Sequence, residues 1–203
     1  VVTSLDLAAV DPTSEAGGVD WQAVLKETLP YVDLFAPSVE ELLFMLDRKK
    51  LKELEDKANG KDLTSVIEID KDVKPLAETV LRMGAKAALI KCGEPGLYFR
   101  AAGQDKISHM EEKLGFPLTG WAARDGFEPS YVPERVLSAT GAGDVTIAAF
   151  LTALLGEESL EVCLQYATAA GACCVTEYDS LSGLKSFAEM RAKMDAGWQK
   201  RKR

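Results

Sequence analysis

Residues 138–150, SATGAGDVTIAAF, decide the fold of this chain. Gly141 and Gly143 flank one small residue, and the carboxylate of Asp144 follows them directly before an apolar run. Glycine adopts positive φ readily and leaves the backbone uncovered, so the pattern predicts a turn that enters a helix near Asp144. The first N–H groups of a helix have no partner inside it, which makes such a turn suited to an anion.

Predicted strands and helices alternate along the rest of the chain. Apolar runs at residues 1–7, 31–38, 85–93 and 96–101 are predicted strands, and residues 144–155 and 159–176 are predicted helices. This alternation predicts an α/β fold with a mainly parallel sheet, in which ligands bind where strands lead into helices. Residues 101–130 show no period, and we expect a long loop insertion there.

Composition limits the classes of function. The chain has 203 residues, of which 47% are hydrophobic and 28% charged, and this is typical of a soluble protein with one sizeable core. A net charge of −8 disfavours nucleic acid and an anionic membrane as partners. The four cysteines form no C-x-x-C pair, which predicts reduced thiols and a cytoplasmic location.

The beginning of the chain gives a further expectation. No charged and apolar leader opens it, and no apolar run reaches the roughly 18–20 residues that a membrane span needs. The first residue is a valine inside a predicted strand rather than a methionine. We therefore expect that upstream sequence has been removed.

The residues around Asp144 allow two interpretations. A carboxylate beside free helix-start amides could take the proton from an attacking hydroxyl, as a kinase requires. Alternatively, Asp144 simply caps the helix, and composition alone favours the cap. Two rival phosphate loops are not supported: the chain has no G-x-x-x-x-G-K-[ST], and Thr146 replaces the third glycine of G-x-G-x-x-G.

Three further residues have simple local interpretations. Ser38 and Glu41 form the pattern of a capping box, with Glu41 three residues after Ser38 and before an apolar run. His109 is the only histidine, so it cannot build a multi-histidine metal site, and we expect it at the surface.

SATGAGD closely resembles the C-terminal signature of the ribokinase-like (PfkB) carbohydrate kinases, D-T-x-G-A-G-D, with Ser138 in place of the first aspartate. Residues 29–42, LPYVDLFAPSVEEL, resemble the segment with the family's P-N-x-x-E motif. Residues 90–98, IKCGEPGLY, resemble T-x-G-x-x-G, and residues 166–176, YATAAGACCVT, resemble the helix along the nucleotide. The resemblance covers nearly the whole chain, 1–203, as the C-terminal portion of such a kinase.

The resemblance implies a three-layer α/β/α ribokinase-like fold whose N-terminal strands and lid are missing from this chain. It implies an ATP-dependent sugar kinase that transfers the γ-phosphoryl group of Mg-ATP to a sugar hydroxyl, with ATP and a sugar as partners. We expect the fragment itself to be weakly active or inactive, and a homodimer of the full-length protein stays open. The open alternatives are a kinase of the same fold for a non-sugar hydroxymethyl substrate and a non-catalytic α/β binding module.

The resemblance also implies roles for individual residues. Asp144 is the expected base, and the expected anion hole consists of Gly141, Ala142 and Gly143. Glu41 is expected to bind Mg²⁺ through water, and Ser38, which replaces the motif's asparagine, offers an oxygen but no amide donor to the same site. Gly93 and Gly96 match the glycines of the nucleotide-side turn, and Lys91, which replaces the motif's threonine, is expected either to reach a phosphate or to point to solvent. Thr168 is a further expected nucleotide-binding residue, with close helix packing as the alternative.

Overall fold

A computed structural model describes residues 1–202 as an α/β fold. The strands are β1 (Ser4–Leu5), β2 (Leu34–Phe35), β3 (Ala87–Lys91), β4 (Gly96–Ala101) and β5 (Asp125–Pro129). The helices are α1 (Trp21–Thr28), α2 (Val39–Leu46), α3 (Arg48–Ala58), α4 (Lys74–Met83), α5 (Gln104–Leu114), α6 (Ala142–Leu155), α7 (Leu160–Cys174) and α8 (Phe187–Asp195).

The five strands form one sheet in the order β1-β2-β3-β4-β5. The first three are parallel, with Ser4 opposite Leu34 and Leu34 opposite Ala87. β4 runs antiparallel to β3, because the Ala102 N–H at the end of β4 donates to Lys86 O just before β3 at 2.8 Å. β5 runs antiparallel to β4, because the Ala101 N–H donates to Arg124 O just before β5 at 2.8 Å. The predicted α/β class is confirmed, in a mixed sheet.

The chain divides into two compact units. The first unit comprises Val1–Glu94 and Tyr98–Gly126, and its core includes the fully buried side chains of Phe35 and Ile90. The second unit comprises Pro95–Leu97 and the chain from Phe127 onward, and its core includes the fully buried Phe150 of α6. Each unit buries apolar side chains of its own, which is the main source of its stability.

The segment 101–130 is more regular than expected. It contains α5 and β5, although the sequence suggested an irregular excursion. In α5, Ile107 and Met110 are buried and Leu114 lies one turn further on, which is helical spacing that the charged residues between them conceal. The expectation of a structureless loop is therefore wrong, whereas its being an insertion relative to the family stays a prediction.

The helix ends follow their local sequences. Ser38 caps α2, as the sequence predicted, and α4 ends at Gly84, whose φ is 127°. The charged α3 buries only Leu54 and Ala58, which matches the solvated helix that its composition predicts. Across residues 1–202, none of the helices has both the length and the hydropathy that a bilayer span requires.

Candidate functional site

The start of α6 presents Asp144 without using it as a cap. The N-cap is Gly141, with φ 78°, and Asp144 is the third residue of the helix. Its side chain is exposed and has neither a hydrogen bond nor an ion pair with any other residue of the described chain. The interpretation of Asp144 as a helix cap is therefore wrong, because a glycine in the left-handed conformation already occupies that position.

The backbone amides of the same turn differ in their availability. The Ala142 N–H donates to Ala139 O at 3.2 Å. Within residues 1–202, the N–H groups of Gly141, Gly143 and Asp144 have no acceptor. These three amides also lie at the positive end of the helix dipole. Of the three residues expected to form an anion hole, Gly141 and Gly143 therefore have free N–H donors and Ala142 does not. Asp144 adds a free N–H group that sequence reasoning missed.

Close packing between α6 and α7 holds this turn in place. A Cβ atom at Gly171 of α7 would lie 2.7 Å from Thr146 Oγ1 and 3.7 Å from Ala142 O. Thr146 Oγ1 in turn donates to Ala142 O at 2.7 Å. The small residues of α7 therefore allow the backbone to approach the first turn of α6, which a larger residue at Gly171 would push away.

The first unit places a second polar group at the carboxyl ends of its parallel strands. Lys91, the last residue of β3, directs its Nζ to Asp6 Oδ1 at 2.5 Å, and only 13% of its side chain is exposed. The Lys91 N–H donates to Pro37 O at 2.9 Å, just before α2. Asp6 was not among the expected site residues; its signal was its position directly after a strand parallel to β3.

Ser38 and Glu41 bind each other in the capping box. The Ser38 N–H donates to Glu41 Oε2 at 2.7 Å, and the Glu41 N–H donates to Ser38 Oγ at 3.2 Å. Glu41 Oε1 makes no hydrogen bond to residues 1–202. Residues 1–202 contain no group of three or more histidine, cysteine, aspartate or glutamate side chains that could hold a metal ion.

The remaining candidates have structural explanations of their own. A Cβ atom at Gly96 would lie 2.2 Å from Glu128 O, and one at Gly93 would lie 2.9 Å from the Thr64 side chain, so the fold itself requires both glycines. Thr168 is buried, and its hydroxyl donates to Leu164 O and Gln165 O at 3.2 Å. It therefore offers no free hydroxyl to a nucleotide.

His109 lies on the exposed face of α5, as expected for a surface residue. Its Nδ1 is 2.7 Å from Asp105 O, one helical turn earlier. This contact lies within the helix and involves neither the start of α6 nor the Lys91–Asp6 ion pair.

A family model described as pfkB family carbohydrate kinase matches residues 5–186. The ribokinase of Arabidopsis thaliana complexed with ribose and ATP superposes with a TM-score of 0.61 at 20% identity, covering 95% of this chain and 47% of its own. A ribokinase from Thermotoga maritima gives a TM-score of 0.58 at 20% identity, covering 96% of this chain and 49% of its own.

A putative ribokinase II from E. coli in complex with ATP and Mg²⁺ gives a TM-score of 0.58 at 19% identity, over 86% of this chain and 43% of its own. At this identity the likeness shows the ribokinase-like fold. The chain spans about half the length of these structures. The comparison with curated proteins finds no match.

Proposed function

The chain belongs to the pfkB family of carbohydrate kinases, and from this premise we propose that it carries the phosphoryl-transfer site of an ATP-dependent sugar kinase. The proposed reaction transfers the γ-phosphoryl group of Mg-ATP to a sugar hydroxyl. The observation that carries the proposal is the start of α6, where the exposed Asp144 carboxylate adjoins the unpartnered amides of Gly141 and Gly143.

Asp144 is the proposed general base. Its carboxylate makes no hydrogen bond within residues 1–202, so both oxygens are available to a hydroxyl group of the substrate. Removing the proton as the hydroxyl attacks phosphorus increases the nucleophilicity of that oxygen. A positioned base typically contributes 10²–10⁴-fold to the rate.

The free amides are the proposed anion hole. Negative charge spreads over the equatorial oxygens of the phosphoryl group during transfer, and fixed N–H donors stabilise it without reorganisation. In this chain we assign that role to Gly141, Gly143 and Asp144, whose N–H groups lack acceptors in the described residues. We leave Ala142 out, because its N–H already donates to Ala139 O.

Lys91 is the proposed phosphate-binding side chain. The chain carries a net charge of −8, so a phosphate-rich substrate needs local positive charge, and Lys91 supplies it at the carboxyl end of a parallel strand. Asp6 neutralises Lys91 in the structure, so a phosphate would have to share or replace this ion pair. Gly93 and Gly96 stay proposed nucleotide-side positions in the adjoining turn, whereas Thr168 does not enter the proposal.

Magnesium fits this chain as an ion held largely by phosphate and water. Mg²⁺ typically takes one or two carboxylates from the protein and keeps several waters. Glu41 would contribute Oε1, the carboxylate oxygen outside the capping box. When bound, the ion neutralises charge on the phosphates.

The proposal is tested with Asp144→Asn in two measurements on the same chain. Calorimetric titration with Mg-ATP measures binding, and single-turnover phosphoryl transfer to a panel of sugars measures chemistry. Single turnover suits a chain that spans about half of a ribokinase, for which we expect slow transfer. We expect Mg-ATP affinity within about threefold of wild type and transfer lowered by about two orders of magnitude or more, because only the base is removed.

Asp105→Asn is the matched control. Asp105 is also an exposed aspartate in the first turn of a helix, so this variant makes the same change of charge outside the proposed site. It should leave both binding and transfer at wild-type values. Wild-type protein that fails to bind Mg-ATP, or an Asp144→Asn variant that transfers normally, would contradict the proposed function.

A further inference from the structure

A short turn after α7, residues 179–182, packs against the loop that carries the free amides. Asp179 Oδ1 accepts hydrogen bonds from the N–H groups of Leu181 at 2.9 Å and Ser182 at 2.8 Å. The Ser182 side chain and these N–H groups lower the pKa of Asp179 to about 2. The turn is therefore internally fixed by its own carboxylate.

Ser180, inside this turn, occupies the space beside Gly141. A Cβ atom built on Gly141 would lie 2.3 Å from the Cβ of Ser180, closer than any two such atoms can approach. Gly141 has φ 78°, a conformation that glycine adopts without steric cost but does not by itself maintain. Contact with Ser180 restricts the space into which this residue could otherwise relax.

Cys174 joins the turn to the loop from the interior. It is fully buried at the end of α7, and its Sγ lies 3.6 Å from Thr140 O and 3.5 Å from Ser180 O. Burial, followed by the charges of Asp179 and Asp144, raises the pKa of the thiol, so it stays protonated and able to donate. One buried side chain thus contacts both the residue before Gly141 and the residue packed on it.

We infer that Cys174 and the turn at residues 179–182 are positioning groups for the amides of Gly141 and Gly143, an inference that rests on the proposed role of those amides in phosphoryl transfer. Peptide dipoles stabilise a transferring group most when they are already oriented before the reaction. A thiol is a weak hydrogen-bond donor, so most of its effect here comes from filling the space between two carbonyl groups. Neither group touches the substrate in this scheme.

The test measures the backbone directly, by ¹⁵N relaxation of the intact chain. In wild type we expect order parameters of about 0.85 for Gly141 and Gly143, as in rigid backbone, and in Cys174→Ala and Asp179→Ala values below about 0.6. Cys173→Ala is the matched control, because it removes the neighbouring buried thiol, which makes no hydrogen bond to the loop within residues 1–202. Cys174→Ser, which keeps a donor, should give intermediate values.

A second readout connects rigidity to chemistry. Single-turnover transfer should fall about tenfold in Cys174→Ala and Asp179→Ala, less than the 10²–10³-fold lost when a donor is deleted, while the Kd for Mg-ATP changes less than about threefold. Rigid glycine amides in both variants would overturn the inference, as would equal loosening in Cys173→Ala. Wild-type protein that fails to bind Mg-ATP would instead refute the proposed function, and the relaxation data would still decide whether these groups hold the loop.

Discussion

At the scale of single residues, position within the helix decides what an aspartate can do. Asp20 and Asp47 are N-caps, and their side chains accept hydrogen bonds from the N–H groups of Ala23 and Lys50 at 3.1 and 2.9 Å. Asp144 stands three residues after its N-cap, Gly141, and accepts none within the described chain. Because a glycine occupies the N-cap, the Asp144 carboxylate is not engaged in capping its own helix.

Gly141 is the residue whose replacement tests this arrangement most simply. Gly141→Ala puts a side chain on a left-handed residue and against Ser180, whereas Gly60→Ala strains an equivalent backbone, φ 79°, with nothing within 4 Å of the new Cβ. We expect Gly60→Ala to lower the free energy of unfolding by about 1 kcal/mol and Gly141→Ala by about 3 kcal/mol, because only the latter must displace a neighbour. Urea denaturation measures both.

Equal losses of unfolding free energy in the two variants would mean that Ser180 moves aside without a free-energy penalty. The loop would then be held by its own backbone conformation alone, which would also weaken the case for the turn at residues 179–182 as a positioning group.

At the scale of elements, two helices begin with the same capping box, and only the glutamate of α2 is proposed to assist Mg²⁺. In α8, the Ser186 N–H donates to Glu189 Oε2 at 2.8 Å and the Glu189 N–H donates to Ser186 Oγ at 3.3 Å. The box of α2 has the same pattern with Ser38 and Glu41. Comparing variants of the two boxes therefore distinguishes the capping role of Glu41 from its proposed role in binding Mg²⁺.

Glu41→Gln should keep the helix and change the metal dependence. A glutamine oxygen can accept the Ser38 N–H, so the free energy of unfolding should change by less than about 0.5 kcal/mol, as in the control Glu189→Gln. If Glu41 assists Mg²⁺ through water, only Glu41→Gln should raise the Mg²⁺ concentration needed for half-maximal nucleotide binding, by about tenfold. Calorimetry at graded Mg²⁺ measures this, and the same Mg²⁺ requirement in both variants would limit Glu41 to capping.

Helices were predictable where the spacing of apolar residues was clearly helical. The apolar face of α4 and its glycine stop are visible in the sequence and present in the structure. In α5 acidic and basic residues separate Ile107, Met110 and Leu114, so their apolar spacing does not by itself predict a helix. Burial of Ile107 and Met110 against the rest of the first unit is what makes that segment a helix.

At the scale of the whole molecule, each compact unit has its own core and the first unit also has a buried ionic cluster. Asp33 is fully buried and accepts from Lys113 Nζ at 2.8 Å, from the Thr3 N–H at 2.8 Å and from Lys86 Nζ at 3.1 Å. The cluster joins residues beside β1, β2 and β3 to α5. Removing the carboxylate would leave the two lysines facing each other.

Asp33 makes the stability of this unit depend on pH. Burial alone would raise the pKa of Asp33, but the hydrogen bonds from Lys113, Thr3 and Lys86 lower it below the ordinary value of 3.8. A carboxylate whose pKa falls on folding stabilises the native state above that ordinary value, and the contribution is lost as the pH falls through the lower folded value. The stabilisation should therefore persist through neutral pH and fade in acid.

Asp33→Asn should cost about 3 kcal/mol of unfolding free energy at neutral pH, near the lower limit for a broken buried pair because both lysines reach solvent in part. The difference from wild type should shrink below about pH 3.8, where the wild-type carboxylate takes up its proton. Urea unfolding across this range measures it, with the exposed Asp105→Asn as the control. A difference that does not vary with pH would show that packing, not charge, is lost.

The sequence by itself determined the α/β class, the capping box of α2, the family signature and Asp144 as the candidate base. Caps, periods and the GAGD pattern depend on residues close together in the chain, so they can be recognised without the fold. Only the tertiary structure decided that Asp6 pairs with Lys91, that Asp33 binds Lys113 and that Ser180 packs on Gly141. These partners lie far apart in sequence, and strand order and helix packing bring them together, which no local pattern specifies.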